Sequence, residues 1–524
     1  MTHLNRYRLL SSLMTLMAVI PLEAQTTSGI PRLVVNIIVD QLRTDYMEAF
    51  IPLYGEDGFK RLLREGKVYR QAEYPFSSPD RASAVATLLT GTTPRDHGVV
   101  GERWLNRETL QPHYCVDDKS CMGLLTPEQS SPSCLTISTL TDELKVATQG
   151  KALVYGISPY RDAAILSAGH AADFTFWLDD LTGQWCSTDY YGMFPQWALT
   201  YNNGSDGLKK RISSLKWEPA LTTTAHYFVS DEIQRLFKHT FTGERKVRDL
   251  KESVLVNDEV NRFAGYCLQQ ASLGADDIPD FLSLTYYAGN YLRKGVDECP
   301  LEMQDTYVRL DRQLAECLRL VEEKVGKDKV LFVLTSTGYV DEHLASEAPY
   351  RIPSGTFNIT RAQLLLNMYL IAVYGQGQYV ETAWGNELYL NHKLLESRAM
   401  NVSEVLMRCQ DFLIQLAGVR DVLTTQRLLQ GAGNPRMERL HNASHPKVSG
   451  DLIIQVVPGW HLINDNTHED RISRESYMGF PLIFLGPEVR SESVTTPVTI
   501  DRVAPTVSRH LKIRAPNGCS AAPL

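Results

Sequence analysis

The sequence predicts an α/β fold, a mostly parallel sheet flanked by helices and interrupted by cap insertions. Two observations carry that expectation. The run Leu33–Asp40, LVVNIIVD, is apolar at nearly every position and ends in a carboxylate. A strand this apolar is buried on both faces, as in a parallel sheet covered by helices. Further apolar runs then recur with helical stretches between them, at 152–157, 281–285, 330–335, 452–457 and 481–485, the alternation of a βαβ architecture.

Taken in order, the chain opens with Arg6 and Arg8 before an apolar run at 9–22, and Leu22-Glu23-Ala24 offers a small-residue cleavage site before Gln25. This predicts a signal peptide over 1–24 and a periplasmic or secreted mature chain. The run is short for a membrane span, and no Cys follows it to carry a lipid anchor. The 524 residues are 43% hydrophobic and 22% charged, ordinary globular values that allow one large domain, expected over 30–515. A net charge of −8 with no dense Lys/Arg block argues against a nucleic-acid partner. No later segment approaches a transmembrane length.

The nine cysteines are scattered and form no CxxC pair, which argues against a zinc knuckle. An oxidising compartment predicts pairing among some of them, with Cys115, Cys121 and Cys134 the nearest neighbours in sequence, and the odd total leaves at least one unpaired. A helix is expected from about 306 to 325, where Leu310, Leu314, Leu318 and Val321 keep helical spacing and Gly326 supplies the stop. Two excursions from the α/β pattern read as caps. The first spans about 173–266 and begins with a stretch rich in Trp, Tyr, Asp and Gly. The second spans about 342–450, with helical segments near 361–369 and 402–417. The aromatic residues at 177–197 either line a groove or pack the cap.

Asp40 falls at the carboxyl edge of the sheet, where such folds place ligands. It is therefore a candidate metal ligand or catalytic acid. Downstream come Tyr74-Pro75-Phe76-Ser77-Ser78-Pro79-Asp80 and then Thr90-Gly91-Thr92-Thr93-Pro94-Arg95-Asp96-His97-Gly98-Val99. Ser78-Pro79-Asp80 reads as a helix start, with a capping hydroxyl, Pro at the first helical position and an acid at the positive dipole end. A hydroxyl there is also a candidate nucleophile, because free N–H groups favour a phosphate.

Together with SAGHAADFTFW at 167–177, YVRLDRQLAECL, LFVLTSTGY and GDLIIQVVPGWHLINDNTHED at 450–470, these segments resemble the alkaline phosphatase superfamily, in particular its type I phosphodiesterase/nucleotide pyrophosphatase branch and the related periplasmic alkaline phosphatases. The resemblance spans nearly the whole mature chain. It implies an alkaline phosphatase-like fold and phosphoester hydrolysis by two zinc ions about 4 Å apart, which activate a Ser or Thr nucleophile. It also implies six ligand positions, and the sequence departs from them. Asp40 matches the first. A pattern like Asp-x-x-Gly-His, anchored on Gly289, puts Tyr286 and Asn290 where Asp and His belong. An Asp-His pair becomes Thr337-Gly338. His468 matches the late His.

The nucleophile falls at Ser77 or Ser78 when matched from the left, and near Arg81 when counted back from Thr90-Gly91. The phosphate-binding Asn position falls on Glu102, a repulsive residue for an anion, and the Lys and Arg positions fall on Tyr160 and Asp162. Arg161 lies between them as a candidate anion contact or a surface ion pair.

With four of six ligands replaced, the expectation is an exported protein that has lost two-zinc hydrolysis and acts as a binding or assembly component. Its ligand would be anionic, a glycan or a protein partner, and it would need no cofactor. The alternative is an active phosphatase or phosphodiesterase whose zinc site is rebuilt from Asp40, Ser77 or Ser78, His468 and new ligands such as Asp341, His343 or Asp465.

Overall fold

The computed structural model describes residues 29–221, 237–295, 298–341, 354–431, 434–473 and 479–524. The leader 1–24 and the residues Glu342 and His343 lie outside them. Strand β1 is Leu33–Asp40, buried at every position. It is followed by β2 (Lys67–Glu73), β3 (Val154–Ile157), β4 (Phe174–Leu178), β5 (Trp185–Thr188), β6 (Asp280–Tyr287) and β7 (Val330–Ser336). Then come β8 (Thr356–Asn358), β9 (Val380–Trp384), β10 (Glu387–Leu390), β11 (Val419–Thr424) and β12 (Leu452–Val456). The last are β13 (His461–Asn464), β14 (Glu469–Ile472), β15 (Phe480–Leu485) and β16 (Glu492–Val494). The helices that matter here are α1 (Arg81–Thr90), α2 (Arg161–Ala168), α3 (Val256–Gln270), α4 (Pro300–Val325), α5 (Ile359–Tyr374) and α6 (Val402–Leu413).

The central sheet runs β16–β2–β15–β7–β1–β6–β3–β4–β5, with short strands added at its edges. The strands from β7 through β1, β6 and β3 to β4 are parallel, whereas β15 runs antiparallel to both β7 and β2. Two apolar layers cover its faces, so β1, with apolar residues on both sides, belongs at the centre. The parallel register brings Asp40 to the same edge as the ends of β6 and β7. It also pairs Asp40 with Tyr287 and Val39 with Tyr286. Side chains alternate across a strand, so Tyr286 points to the face opposite Asp40.

Helix α4 carries Leu310, Leu314, Leu318 and Val321 on its buried stripe and stops at Gly326. It starts earlier than residue 306, because Pro300 occupies the first turn, where a missing N–H costs nothing. The run at 452–457 departs from expectation. As β12 it joins a separate antiparallel sheet, β9–β10–β12–β11, packed beneath α5 and α6 around Leu366, Leu370, Val405, Leu413 and Ile454. Apolarity fixed the strand but not the sheet it enters.

The stretch beginning at 173 is likewise less irregular than its composition suggests, because β4 and β5 extend the central sheet. Its aromatic side chains pack rather than line a groove: Trp185 stacks on Phe263 of α3 with ring centroids 4.4 Å apart, and Trp197 lies edge-on to Phe176 at 5.4 Å. All nine cysteines are unpaired thiols, correcting the expected pairing among Cys115, Cys121 and Cys134. Cys115 is buried in the core, while Cys134 Sγ lies 3.3 Å from His113 Nε2.

The AGH segment also proves structural. His170 follows α2, and its Nδ1 lies 2.8 Å from Asp142 Oδ2. The backbone N–H groups of His170 and Ala171 donate to Asp142 Oδ1, each at 2.8 Å. The bond to Asp142 holds the imidazole above its ordinary range, and the same contacts hold the carboxyl of Asp142 low against its burial. A raised His contributes stability that is present below about pH 6.5 and lost as the pH rises through its folded value. His170→Ala should therefore lower the melting temperature most near pH 5–6 and least in mild alkali, as thermal unfolding across pH would show.

Candidate functional site at the carboxyl edge of the sheet

The helix after β2 begins at Arg81, not at Pro79. Asp80 is the N-cap: its Oδ1 accepts from Ser83 N–H at 2.9 Å, and Ser83 Oγ accepts from Asp80 N–H at 3.0 Å. This reciprocal box outcompetes the Ser78 cap. Ser78 is left exposed with φ +53°, and Ser77 N–H donates to the Arg439 carbonyl at 3.0 Å. The side chain at the helix entrance is Arg81, the position reached by counting back from Thr90-Gly91.

Arg81 is buried, and its guanidinium fills the space in front of Asp40. Nε donates to Asp162 Oδ2 at 2.9 Å and to Oδ1 at 3.2 Å. Nη1 lies 3.6 Å from Asp40 Oδ2, and Nη2 lies 3.5 Å from Glu102 Oε2. Arg81 Cζ lies 3.8 Å from the centroid of the Tyr160 ring, a cation–π contact. Burial alone would lower the pKa of Arg81, but Asp162 and Glu102 hold it well above its ordinary value, so it stays charged.

Asp40 is fully buried, and its other contacts are hydroxyls. Thr337 Oγ1 donates to Oδ1 at 2.8 Å, and the Tyr339 hydroxyl lies 3.4 Å from Oδ2. The same Thr337 oxygen accepts from Gln41 N–H at 3.0 Å, which ties β1 to the turn after β7. Burial pushes the Asp40 carboxyl up, while Arg81 and the Thr337 hydroxyl pull it back.

The remaining expected ligands stand as follows. Tyr286 does not flank Asp40: it points into the core and donates its hydroxyl to Asn261 Oδ1. Tyr287 is the tyrosine on the Asp40 side, bonded to the Asn290 carbonyl at 3.0 Å. Asn290 Nδ2 donates to the Lys294 carbonyl at 2.7 Å. Gly338 has φ +71°, and any Cβ there would come within 2.7 Å of Tyr74 and Phe480, so the turn has no room for histidine. His468 is exposed at the β13–β14 turn, with φ +57°. Asp341 pairs with Arg293 at 3.2 Å, and Asp465 accepts from Asn358 at 2.8 Å.

Arg161 turns away from Arg81. Rather than forming a surface pair, it is mostly buried between Asp117 at 3.0 Å and Glu128 at 3.7 Å, above the Tyr114 ring. Glu102 meets a cation of the protein itself. Among the described residues, no group of three His, Cys, Asp or Glu side chains is placed to hold a metal ion. A guanidinium beside Asp40, a hydroxyl at 337 and a crowded glycine at 338 do not suit a pair of zinc ions.

The family model for type I phosphodiesterase / nucleotide pyrophosphatase matches residues 34–479. The chain belongs to that family. Among its relatives are alkaline phosphatase PafA of Elizabethkingia meningoseptica, 28% identical with 96% of each chain covered, and alkaline phosphatase PhoV of Synechococcus elongatus, 26% identical with 93% of this chain and 91% of the relative covered. The crystal structure of PafA superposes with a TM-score of 0.82 at 26% identity, covering 94% of this chain and 98% of that one. A murine ectonucleotide pyrophosphatase/phosphodiesterase 5, solved with AMP, shares the fold at a TM-score of 0.50 and 11% identity, with 92% and 95% covered.

Within this phosphodiesterase-family fold, the sequence reading missed how Arg81, Asp162 and Tyr339 converge on Asp40. The one signal was the second register, which ended near Arg81. Arg81→Met should cost about 3–5 kcal/mol, because it leaves buried carboxylates without their cation. The sign with pH follows from Asp40, whose carboxyl is already pushed up and now loses its opposing charge. The deficit should be smallest near pH 4 and widen as the pH rises, as denaturant unfolding of both chains at pH 4.5 and 7.5 would show.

Proposed function

We propose that this chain is an exported phosphodiesterase-family protein that has lost two-zinc phosphoester hydrolysis and acts as a binding or assembly component. The observation that carries this reading is the Arg81 guanidinium, which stands at the helix entrance and pairs with Asp162, Asp40 and Glu102. A cation held there by the protein repels a second cation brought to the same carboxylate. One arginine facing three carboxyl groups also makes the cleft a poor host for a phosphate. That charge balance argues against the anionic ligand and favours a glycan or a protein partner. Export rests on the amino-terminal sequence.

The rival reading, an active phosphoester hydrolase with a rebuilt metal site, draws its support from the names of the alkaline phosphatase relatives. It requires ligands from outside the described residues, of which Glu342 and His343 are the nearest candidates in sequence.

The two readings separate on the purified chain, dialysed against zinc and assayed with p-nitrophenyl phosphate and bis-p-nitrophenyl phosphate. Degeneracy predicts no stoichiometric zinc and no turnover that Asp40→Ala changes. Two zinc ions per chain, with turnover abolished by Asp40→Ala, would establish the hydrolase instead.

A further inference from the structure

Asp451 stands just before β12, where the central α/β body meets the antiparallel sheet, and it is only 4% exposed. Two basic side chains from distant parts of the chain reach this one carboxylate. His392 Nε2 lies 2.9 Å from Oδ1, and Arg107 Nη1 lies 3.3 Å from each oxygen. Leu390 N–H donates to Oδ2 at 2.8 Å, which fixes the carboxyl against β10.

Arg107 sits in the tip of a hairpin whose strands, Arg103–Leu105 and Pro112–Tyr114, pair antiparallel. Trp104 and Leu105 hold the base of the hairpin in the core. The tip is exposed at Glu108, Thr109 and Gln111. Among the described residues, the hydrogen bonds that tie the tip to the rest of the molecule all come from Arg107, whose Nε also donates to the Ser449 carbonyl at 3.2 Å. Leu110 has φ +53°, a left-handed backbone that a leucine keeps only under constraint. The tip is thus a strained loop on a single anchor, and its hairpin springs from Glu102 at the wall of the Arg81 site.

We propose that His392 is a pH-sensitive latch on this hairpin: a proton on its imidazole loosens the tip, and loss of that proton clamps Arg107 onto Asp451. A protonated His392 is a second cation on the carboxylate that Arg107 uses, so the two repel across it. The bond to Asp451 holds the imidazole above its ordinary range, burial and Arg107 oppose that, and Glu381 of β9 adds to it. Burial would push the Asp451 carboxyl up, but His392, Arg107 and the Leu390 amide hold it low, so it stays ionised from mild acid upward. Because Arg107 lowers the proton affinity of His392, a proton on His392 weakens the hold of Arg107 by the same factor. Glu387 and Tyr389 of β10 complete the surroundings. Glu387 accepts from the Tyr389 hydroxyl at 2.8 Å and from Gly450 N–H at 2.9 Å, and Arg107 lies over the Tyr389 ring. Burial pushes both groups up, which keeps the phenol neutral and leaves Glu387 as the rival titrating group.

Amide hydrogen exchange of the full chain tests the latch, read on the peptide covering 106–111 and corrected for the intrinsic effect of pH. In wild type, protection of the tip should fall about threefold or more between about pH 8.5 and about pH 5.5. His392→Gln, which keeps an amide donor without a titrating charge, should hold the tip clamped at both. Arg107→Gln should leave the tip open at both. In that variant, histidine C2–H exchange should show the proton affinity of His392 rising about threefold. Wild-type protection that ignores pH would overturn the proposal, and that result depends on no variant folding. A pH response that survives His392→Gln would move the switch to Glu387 and overturn it too, as would an unchanged His392 affinity in Arg107→Gln.

Discussion

The contact on which the carboxyl edge of the sheet depends is the buried ion pair between Arg81 and Asp162, 2.9 Å from Nε to Oδ2. It joins the first residue of α1 to the first turn of α2, and through Asp40 it reaches the end of the central strand. Taking a guanidinium and its carboxylates out of water costs several kcal/mol per ion. The arrangement holds because Nε of Arg81 bonds Asp162, its two Nη atoms face Asp40 and Glu102, and its Cζ lies over the Tyr160 ring. An ammonium, with a single charged centre and no plane to stack, could not serve three acids in this geometry.

The other contacts at this edge are hydrogen bonds and close packing. Beside Asp40 stands a cation of the protein, Arg81. Thr337 bridges the Asp40 carboxyl and the Gln41 amide, and Gly338 lets the rings of Tyr74 and Phe480 close over the turn. Tyr286 is recruited to the core beneath the sheet. Hydrogen bonds and packing thus join the strand ends and hold them fixed.

Much of this was legible in the sequence. LVVNIIVD could only be a central strand, because its apolar residues occupy both faces. The alternation of runs set the parallel order, and the spacing from Leu310 to Val321 set the helix behind it. What resisted reading has identifiable causes. The run at 452–457 is apolar enough for either sheet, and its partners are set by contacts far along the chain. The start of α1 turned on a competition between two caps, Ser78 and Asp80, that only the Ser83 hydroxyl decides. Tyr286 was given a place beside Asp40 from a glycine register, whereas the side on which a strand residue points depends on pairing with β1. The partners of Arg81 come from segments as distant as 162 and 339, and no local pattern joins them.

The chain has the frame of the phosphodiesterase family, and in it the Arg81 guanidinium stands beside Asp40. Crystals grown in zinc and measured at the zinc absorption edge test this most directly. The account predicts no anomalous peak at Asp40 and the Arg81 guanidinium in hydrogen-bond contact with Asp162. Two anomalous peaks about 4 Å apart beside Asp40, with Arg81 swung out of the cleft, would contradict it.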